Sequence, residues 1–361
     1  MSTHGRCPLR FNRAVTTQWL PNAMIYITLR NVANLSTERL KARATALEPG
    51  PLIDPRARFI YGLAVAMLVA ASLATYALGL TFSGTRLGQV YLSLLWLLVA
   101  ALVSRRYGFA RVATLFEASL LPPLLGGLAV ATTFISAWIS LPFADHALVR
   151  LDAAVGFDWR RAFALYQDRP WLLELSTQAY RSFFKQLLIL PVILILTGHA
   201  TRFWTFLTAW ALSSLITATV FAVAPAVGPY LYFGVTPDDI PGFYREYPWQ
   251  TAGIIAGIKS GELNDITQAM GGLVSFPSFH AVAAVLFTWA GWGVRPIRYP
   301  VLALNVAMWL STLVIGAHYL IDLIAGTALA FAMIAVSRQI VSRLAKQGTR
   351  TNDGSVSQPL T

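Results

Sequence analysis

A single cysteine, Cys7, excludes both an intramolecular disulfide and a cysteine-ligated metal centre. Charge is scarce too: 12% of residues are charged, against about a quarter in ordinary soluble domains. Histidine occurs five times, as His4, His146, His199, His280 and His318. The first 58 residues lack a short apolar core followed by small residues, so no cleaved signal peptide is expected. What the chain has in plenty is apolar surface. Hydrophobic residues make up 56% of its 361 positions and recur in long runs from Phe59 to Val336. That pattern requires membrane helices rather than one large soluble core.

The net charge of +12 would suit nucleic acid, but its distribution does not. Arg and Lys sit in the tails and in short loops, with no basic surface interleaved with aromatics to track a backbone. They read as topology signals instead. The hydropathy pattern predicts an all-α fold, a polytopic integral membrane helical bundle with about eight transmembrane helices. Their expected spans are 59–80, 88–104, 118–141, 172–198, 203–224, 274–294, 299–317 and 318–340. The expected organisation is a basic cytoplasmic tail (1–58), two extra membrane helices (59–117), a six-helix catalytic membrane domain (118–340) and a disordered tail (341–361).

With eight spans, Arg105, Arg106, Arg111, Arg202, Arg295, Arg298, Arg338 and Arg343 fall on one side. The positive-inside rule makes that side cytoplasmic. An Ala- and Arg-rich composition points to a bacterial inner membrane. Two longer stretches, 142–171 and 225–273, fall on the opposite side, where long loops over a membrane domain carry function.

Two histidines stand at expected helix starts. His280 lies in Val274-Ser275-Phe276-Pro277-Ser278-Phe279-His280. Pro277 suits a first helical turn, and Ser275 or Ser278 can cap free backbone donors there. Such a start is a ready phosphate site. His318 lies in Gly316-Ala317-His318-Tyr319-Leu320-Ile321-Asp322. The i, i+4 spacing puts His318 and Asp322 on one helical face. A carboxylate within an apolar segment needs a partner, and the imidazole one turn away is the nearest. That pairing fixes the imidazole tautomer and leaves its other nitrogen free to attack or take a proton. The alternatives are an ion pair that only joins helices, or a metal held by two His and one Asp.

An antiparallel hairpin joins the two sites. The chain descends from His280, turns through Arg295-Pro296-Ile297-Arg298 and returns to Ala317. Each leg matches the bilayer thickness at about 1.5 Å per residue, so both histidines are expected at the same, non-cytoplasmic face. Nucleophile, orienter and general acid are then in one place.

These motifs resemble the type-2 phosphatidic acid phosphatase superfamily, whose pattern has three parts: K-x6-R-P, P-S-G-H and S-R-x5-H-x3-D. Pro277-Ser278-Phe279-His280 looks like the second part, with Phe279 in place of Gly. Ser311-Thr312, His318 and Asp322 look like the third, with Thr312 in place of Arg. The first part is not recognisable, and its place holds Ala224-Pro225-Ala226-Val227-Gly228-Pro229-Tyr230. Together with Leu151-Asp152-Ala153-Ala154-Val155-Gly156, these departures are similar to the branch of fungal inositol phosphorylceramide synthase and its bacterial relatives. The resemblance covers roughly 120–336.

The resemblance implies that His318 is the nucleophile and forms a phosphohistidine, with Asp322 as its orienter. It implies that His280 protonates the leaving alkoxide and then deprotonates the acceptor. Ser278, Ser311 and nearby backbone donors would hold phosphate oxygens, with no metal and no cofactor. The superfamily's Lys and Arg residues are missing at their places. A phosphodiester carries less charge than a monoester, so the implied donor is a phosphodiester membrane lipid, with phosphoinositol as a candidate head group, and the acceptor an alcohol or a second lipid. Lys259, ahead of the His280 helix, is the favoured replacement cation, with Arg245, Arg181 and Lys185 as others. The alternatives are a lipid phosphate or pyrophosphate phosphatase, and a transporter or scaffold without catalysis. The last would show discontinuous helices or an internal repeat, and the sequence has neither.

Overall fold

The computed structural model describes residues 52–81, 87–167, 169–240, 243, 247–265 and 273–354. The basic tail up to residue 51, with His4 and Cys7, lies outside the described residues, as does Arg245. Twelve α-helices are labelled here in chain order among the described residues: α1 (Arg58–Ala77), α2 (Leu87–Arg106), α3 (Ala110–Trp138), α4 (Asp145–Ala154), α5 (Trp159–Gln167), α6 (Pro170–Leu196), α7 (Ala200–Val223), α8 (Pro229–Phe233), α9 (Tyr247–Ser260), α10 (Phe279–Trp292), α11 (Arg298–Ser311) and α12 (Leu320–Gly354). The described residues contain no strand, only an isolated bridge between Thr81 and Asp265.

Five stretches are long and apolar enough to cross a membrane: Pro55–Ala77, Ala110–Trp138, Pro170–Leu196, Ala200–Val223 and Leu320–Gln347. The shorter α10 is apolar as well. The protein is therefore an integral membrane protein of helical architecture. α7 forms the centre and packs on α3, α10 and α12. Its Phe203, Trp204, Phe206 and Trp210 are fully buried and meet Leu187 and Leu190 of α6, Phe287 of α10 and Ala330 and Ile334 of α12. By contrast, α1 presents Val65, Leu68, Val69 and Leu73 outward, as a lipid-facing helix does.

One end of the bundle gathers arginines. Arg56 Nη1 donates to Thr201 Oγ1 (3.0 Å), Arg111 bonds the Leu196 carbonyl, and Arg202 Nε donates to the carbonyls of Trp289 (2.9 Å) and Ala290 (3.1 Å). Arg111 and Arg202 spend their donors on the C-terminal ends of neighbouring helices, where carbonyls lack intrahelical partners. A buried ion pair lies near this end. Arg105 of α2 donates to Glu117 of α3 through Nε (3.1 Å) and Nη2, and Tyr61 of α1 adds its hydroxyl at 2.9 Å. Removing one partner of such a pair strands the other charge. Glu117→Ala should therefore cost about 3–5 kcal/mol, read as a lower thermal midpoint in detergent, while Glu117→Leu with Arg105→Met should recover most of it.

The opposite end carries the shorter helices. The 142–171 stretch folds into α4 and α5, and the 225–273 stretch contributes α8 and α9. Both pieces pack on the bundle: α4 on α12, α5 on α6, and α9 on α3.

Four expected boundaries are corrected here. α3 begins at Ala110, not 118. α10 begins at Phe279, not 274, because Phe276 and Pro277 keep the chain out of helical geometry ahead of Ser278. Pro277 thus precedes the helix rather than sitting in its first turn. α11 ends at Ser311, and residues 312–317 form turns before His318, with Ala317 at φ 56°. The last helix begins at Leu320 and runs to Gly354, through residues assigned above to a disordered tail. Val341, one residue past the expected end of the span, stays 1% exposed against the main core.

Candidate active site

The site forms where α10 and α12 begin, beside each other. Gly326 of α12 makes this possible: a Cβ there would stand 2.4 Å from the Ser278 carbonyl oxygen and 3.2 Å from the Ala281 Cβ. Backbone cannot yield as a side-chain tip can, so glycine is required for this approach. The contact is stitched by a backbone bond from Ser278 N–H to the Asp322 carbonyl (3.0 Å).

Ser278 is the N-cap of α10, and its Oγ accepts from Ala281 N–H (3.3 Å). The same oxygen lies 3.4 Å from His318 Nε2. On its other side, His318 Nδ1 is 3.1 Å from Asp322 Oδ2. With Asp322 as the acceptor, as it is for Tyr319 N–H, Nδ1 would carry the hydrogen and the Nε2 lone pair would face Ser278. Asp322 is fully buried and His318 is 3% exposed, so this pair is shielded from water.

All the partners of the Asp322 carboxylate converge on one oxygen. Besides His318, Oδ2 accepts from Ser275 Oγ (3.0 Å) and Tyr319 N–H (3.0 Å). Its Oδ1 is buried without a hydrogen-bond partner among the described residues. The pair therefore does not lie on one helical face as the spacing suggests. His318 precedes α12, and Asp322 stands in the first turn, where a carboxylate reaches back to the N-cap N–H.

His280, the second residue of α10, is held by α6. Its ring stacks on Tyr180, with centroids 3.9 Å apart and planes at 15°, and meets Phe183 at 4.5 Å. Gly316 lies between Tyr180 and His318: a Cβ there would touch Tyr180 Cε2 (2.9 Å) and His318 Cδ2 (2.8 Å) together. His280 thus packs on Tyr180, and His318 stands across Gly316 from the same tyrosine. Sequence reasoning missed Tyr180, because nothing local marks an aromatic in an apolar helix. Tyr180→Leu should lower turnover ~3–10-fold, the scale of one lost aromatic pair. A lipid turnover assay on the variant checks this.

The remaining predicted residues are less central. Ser311 is fully buried, and its hydroxyl donates to the Met308 carbonyl (2.7 Å). Thr312, standing where the superfamily pattern has Arg, does the same at 2.8 Å. Phe279 packs edge-on against Trp210 (4.9 Å). Lys259 is exposed in the last turn of α9. Arg181 and Lys185 lie on the exposed face of α6 with Phe184 and Leu188. Among the described residues, no three His, Cys, Asp or Glu side chains are grouped to hold a metal ion.

A second layer of contacts surrounds the His318 loop. Asp152 of α4 accepts from Leu320 N–H (3.0 Å) and Ile321 N–H (2.8 Å), the free donors of α12. Burial pushes its carboxyl above the usual range, and these two donors pull it back. Asp145, two turns back on the same face of α4, accepts from Val227 N–H (3.0 Å), Gly228 N–H (2.9 Å) and the Tyr319 hydroxyl (2.8 Å). Trp159 Nε1 donates to the Leu313 carbonyl (2.9 Å) and the Tyr230 hydroxyl to that of Val314 (3.1 Å). Burial pushes the Tyr230 phenol up, which keeps that donor protonated.

A family model described as the PAP2 superfamily matches residues 146–336, a span that holds every residue of this constellation except Asp145. No curated protein and no solved structure matches the chain.

Proposed function

This chain belongs to the PAP2 superfamily of phosphoester-cleaving enzymes, and from that membership we propose that it is a membrane lipid phosphotransferase. The single observation that carries the reading is His318: its Nδ1 is bound to Asp322 while Nε2 faces Ser278 at the start of α10. A helix start offers free N–H groups and partial positive charge to a phosphate. The lone pair of His318 is aimed at the place such a group would occupy.

In the proposed reaction, Nε2 attacks phosphorus and the P–O bond to the donor's lipid alkoxide breaks. His280 gives that alkoxide its proton. The head group stays on His318 through a P–N bond. An acceptor alcohol then loses its proton to His280 and attacks phosphorus, and the P–N bond breaks to free His318. Asp322 holds the ring and balances its positive charge throughout.

The donor class follows from charge. A phosphate monoester carries nearly two negative charges near neutral pH, and a phosphodiester carries one. Thr312 in place of Arg, bonded to its own helix, supplies no cation there. That favours a phosphodiester lipid and an inositolphosphotransferase-like branch, with lipid and alcohol as the two partners. In this reading α2, α10 and α11 alternate between the same two ends as the five long helices and complete eight crossings. The arginine-rich end is then cytoplasmic and the site lies on the other face of a bacterial inner membrane.

Purified protein given diester and monoester lipids in parallel tests this. The diester should be consumed with transfer of its phospho-head group to an alcohol and without inorganic phosphate. Efficient monoester cleavage with release of phosphate, and no diester reaction, would favour the phosphatase alternative and remove the transferase.

A further inference from the structure

The first turn of α12 sits under two carboxylates from a helix that touches no reacting atom. α4 buries one face, made of Asp145, Leu148 and Asp152. Asp152 takes the N–H groups of Leu320 and Ile321, and Asp145 takes the Tyr319 hydroxyl. Tyr319 N–H in turn binds Asp322 Oδ2, the oxygen that holds His318. Tyr319 is fully buried, with Leu148 and Ala226 around it. On the far side, Gly228 at φ 89° brings its backbone against Ala317, where a Cβ would stand 2.9 Å from the carbonyl oxygen. The residues on both sides of His318 are therefore fixed from α4, directly or through the loop it grips.

We propose that Asp145 and Asp152 are positioning residues that hold the His318–Asp322 pair in its reactive geometry, with Asp152 making the larger contribution. The physical reason is competition for donors. The N–H groups at a helix start attract any nearby carboxylate. Asp322 stands in that same turn and has an oxygen without a partner among the described residues. Asp152 satisfies Leu320 and Ile321, which leaves Asp322 committed to Ser275, Tyr319 and His318. Without Asp152, two free donors lie within a turn of Asp322, and its carboxylate can be drawn from the imidazole. Displacement of a catalytic group by about 1 Å costs on the order of 100-fold in rate.

This inference rests on His318 being the nucleophile, and the test separates the two claims. Turnover of a phosphodiester phospholipid in detergent micelles is measured for Asp152→Asn, Asp322→Asn, the double variant and His318→Ala. Asp152→Asn should lower kcat ~10–100-fold with KM unchanged. In the Asp322→Asn background the same change should cost little, because the group it protects has already lost its charge. A purely structural role would instead give equal losses in both backgrounds. Additive losses with an inactive His318→Ala would overturn the positioning role alone. Retained turnover in His318→Ala would overturn the catalytic reading and this inference with it. Should Asp152→Asn fail to fold, Tyr319→Phe removes only the hydroxyl bound by Asp145. It should lower kcat several-fold in the wild-type background and not in Asp322→Asn, and equal losses in the two would again overturn the proposal.

Discussion

His318→Ala should lower lipid turnover by at least ~10^4-fold while the protein keeps its fold. The size follows from the covalent step, which the proposed reaction assigns to Nε2 of His318. The fold survives because of what Asp322 retains. Its Oδ2 keeps Ser275 Oγ and Tyr319 N–H after the imidazole is gone, so no buried charge is left alone. Loss of one hydrogen bond is worth about 1 kcal/mol, with a further cost for the space vacated. Turnover and thermal unfolding of the same preparation check both halves of the expectation.

Asp322→Asn should be nearly as damaging to activity and milder still for stability. The arrangement of partners explains why. Among the described residues, three donors meet Oδ2 and none meets Oδ1. An asparagine can place its carbonyl oxygen where Oδ2 was and its amide nitrogen where Oδ1 had no partner. Ser275, Tyr319 and the Nδ1–H of His318 then keep an acceptor, so the tautomer is preserved. What disappears is the negative charge that balances the imidazolium character developing as Nε2 attacks phosphorus. The expected loss is ~10^2–10^4-fold in kcat, with little change in KM. A loss confined to KM would instead mark Asp322 as a substrate-binding group.

How much of this could be read from the sequence differs from residue to residue. Membrane helices are legible because hydropathy is a sum over many positions, and a few exceptions do not disturb it. The pairing of His318 with Asp322 is legible for a related reason: a carboxylate in an apolar run must find a partner close by. The local geometry was not. The spacing suggests one helical face, whereas His318 sits in the turn ahead of α12. Gly316 and Ala317 break the helix there, and Asp322 reaches back to it.

Long-range partners were beyond the sequence for a physical reason. Ser275 and Asp322 are far apart along the chain, as are Asp152 and Leu320, and no periodicity links them. Asp145 and Asp152 read as two acids in a mixed-charge loop, and only the fold shows that they share a buried face of α4. Ser311 illustrates the reverse. Its place in the motif suggested phosphate binding, but a serine near a helix end has its own carbonyl within reach, and its hydroxyl takes it.

The most direct measurement is a search for the covalent intermediate. Purified protein is incubated with phospholipids labelled at the head-group phosphorus, quenched in alkali, digested and read by mass spectrometry. A base-stable, acid-labile phosphoramidate on the peptide carrying His318, absent from His318→Ala, is the predicted result. Wild-type protein that turns over lipid while the label stays off His318, or sits on another residue, would contradict it.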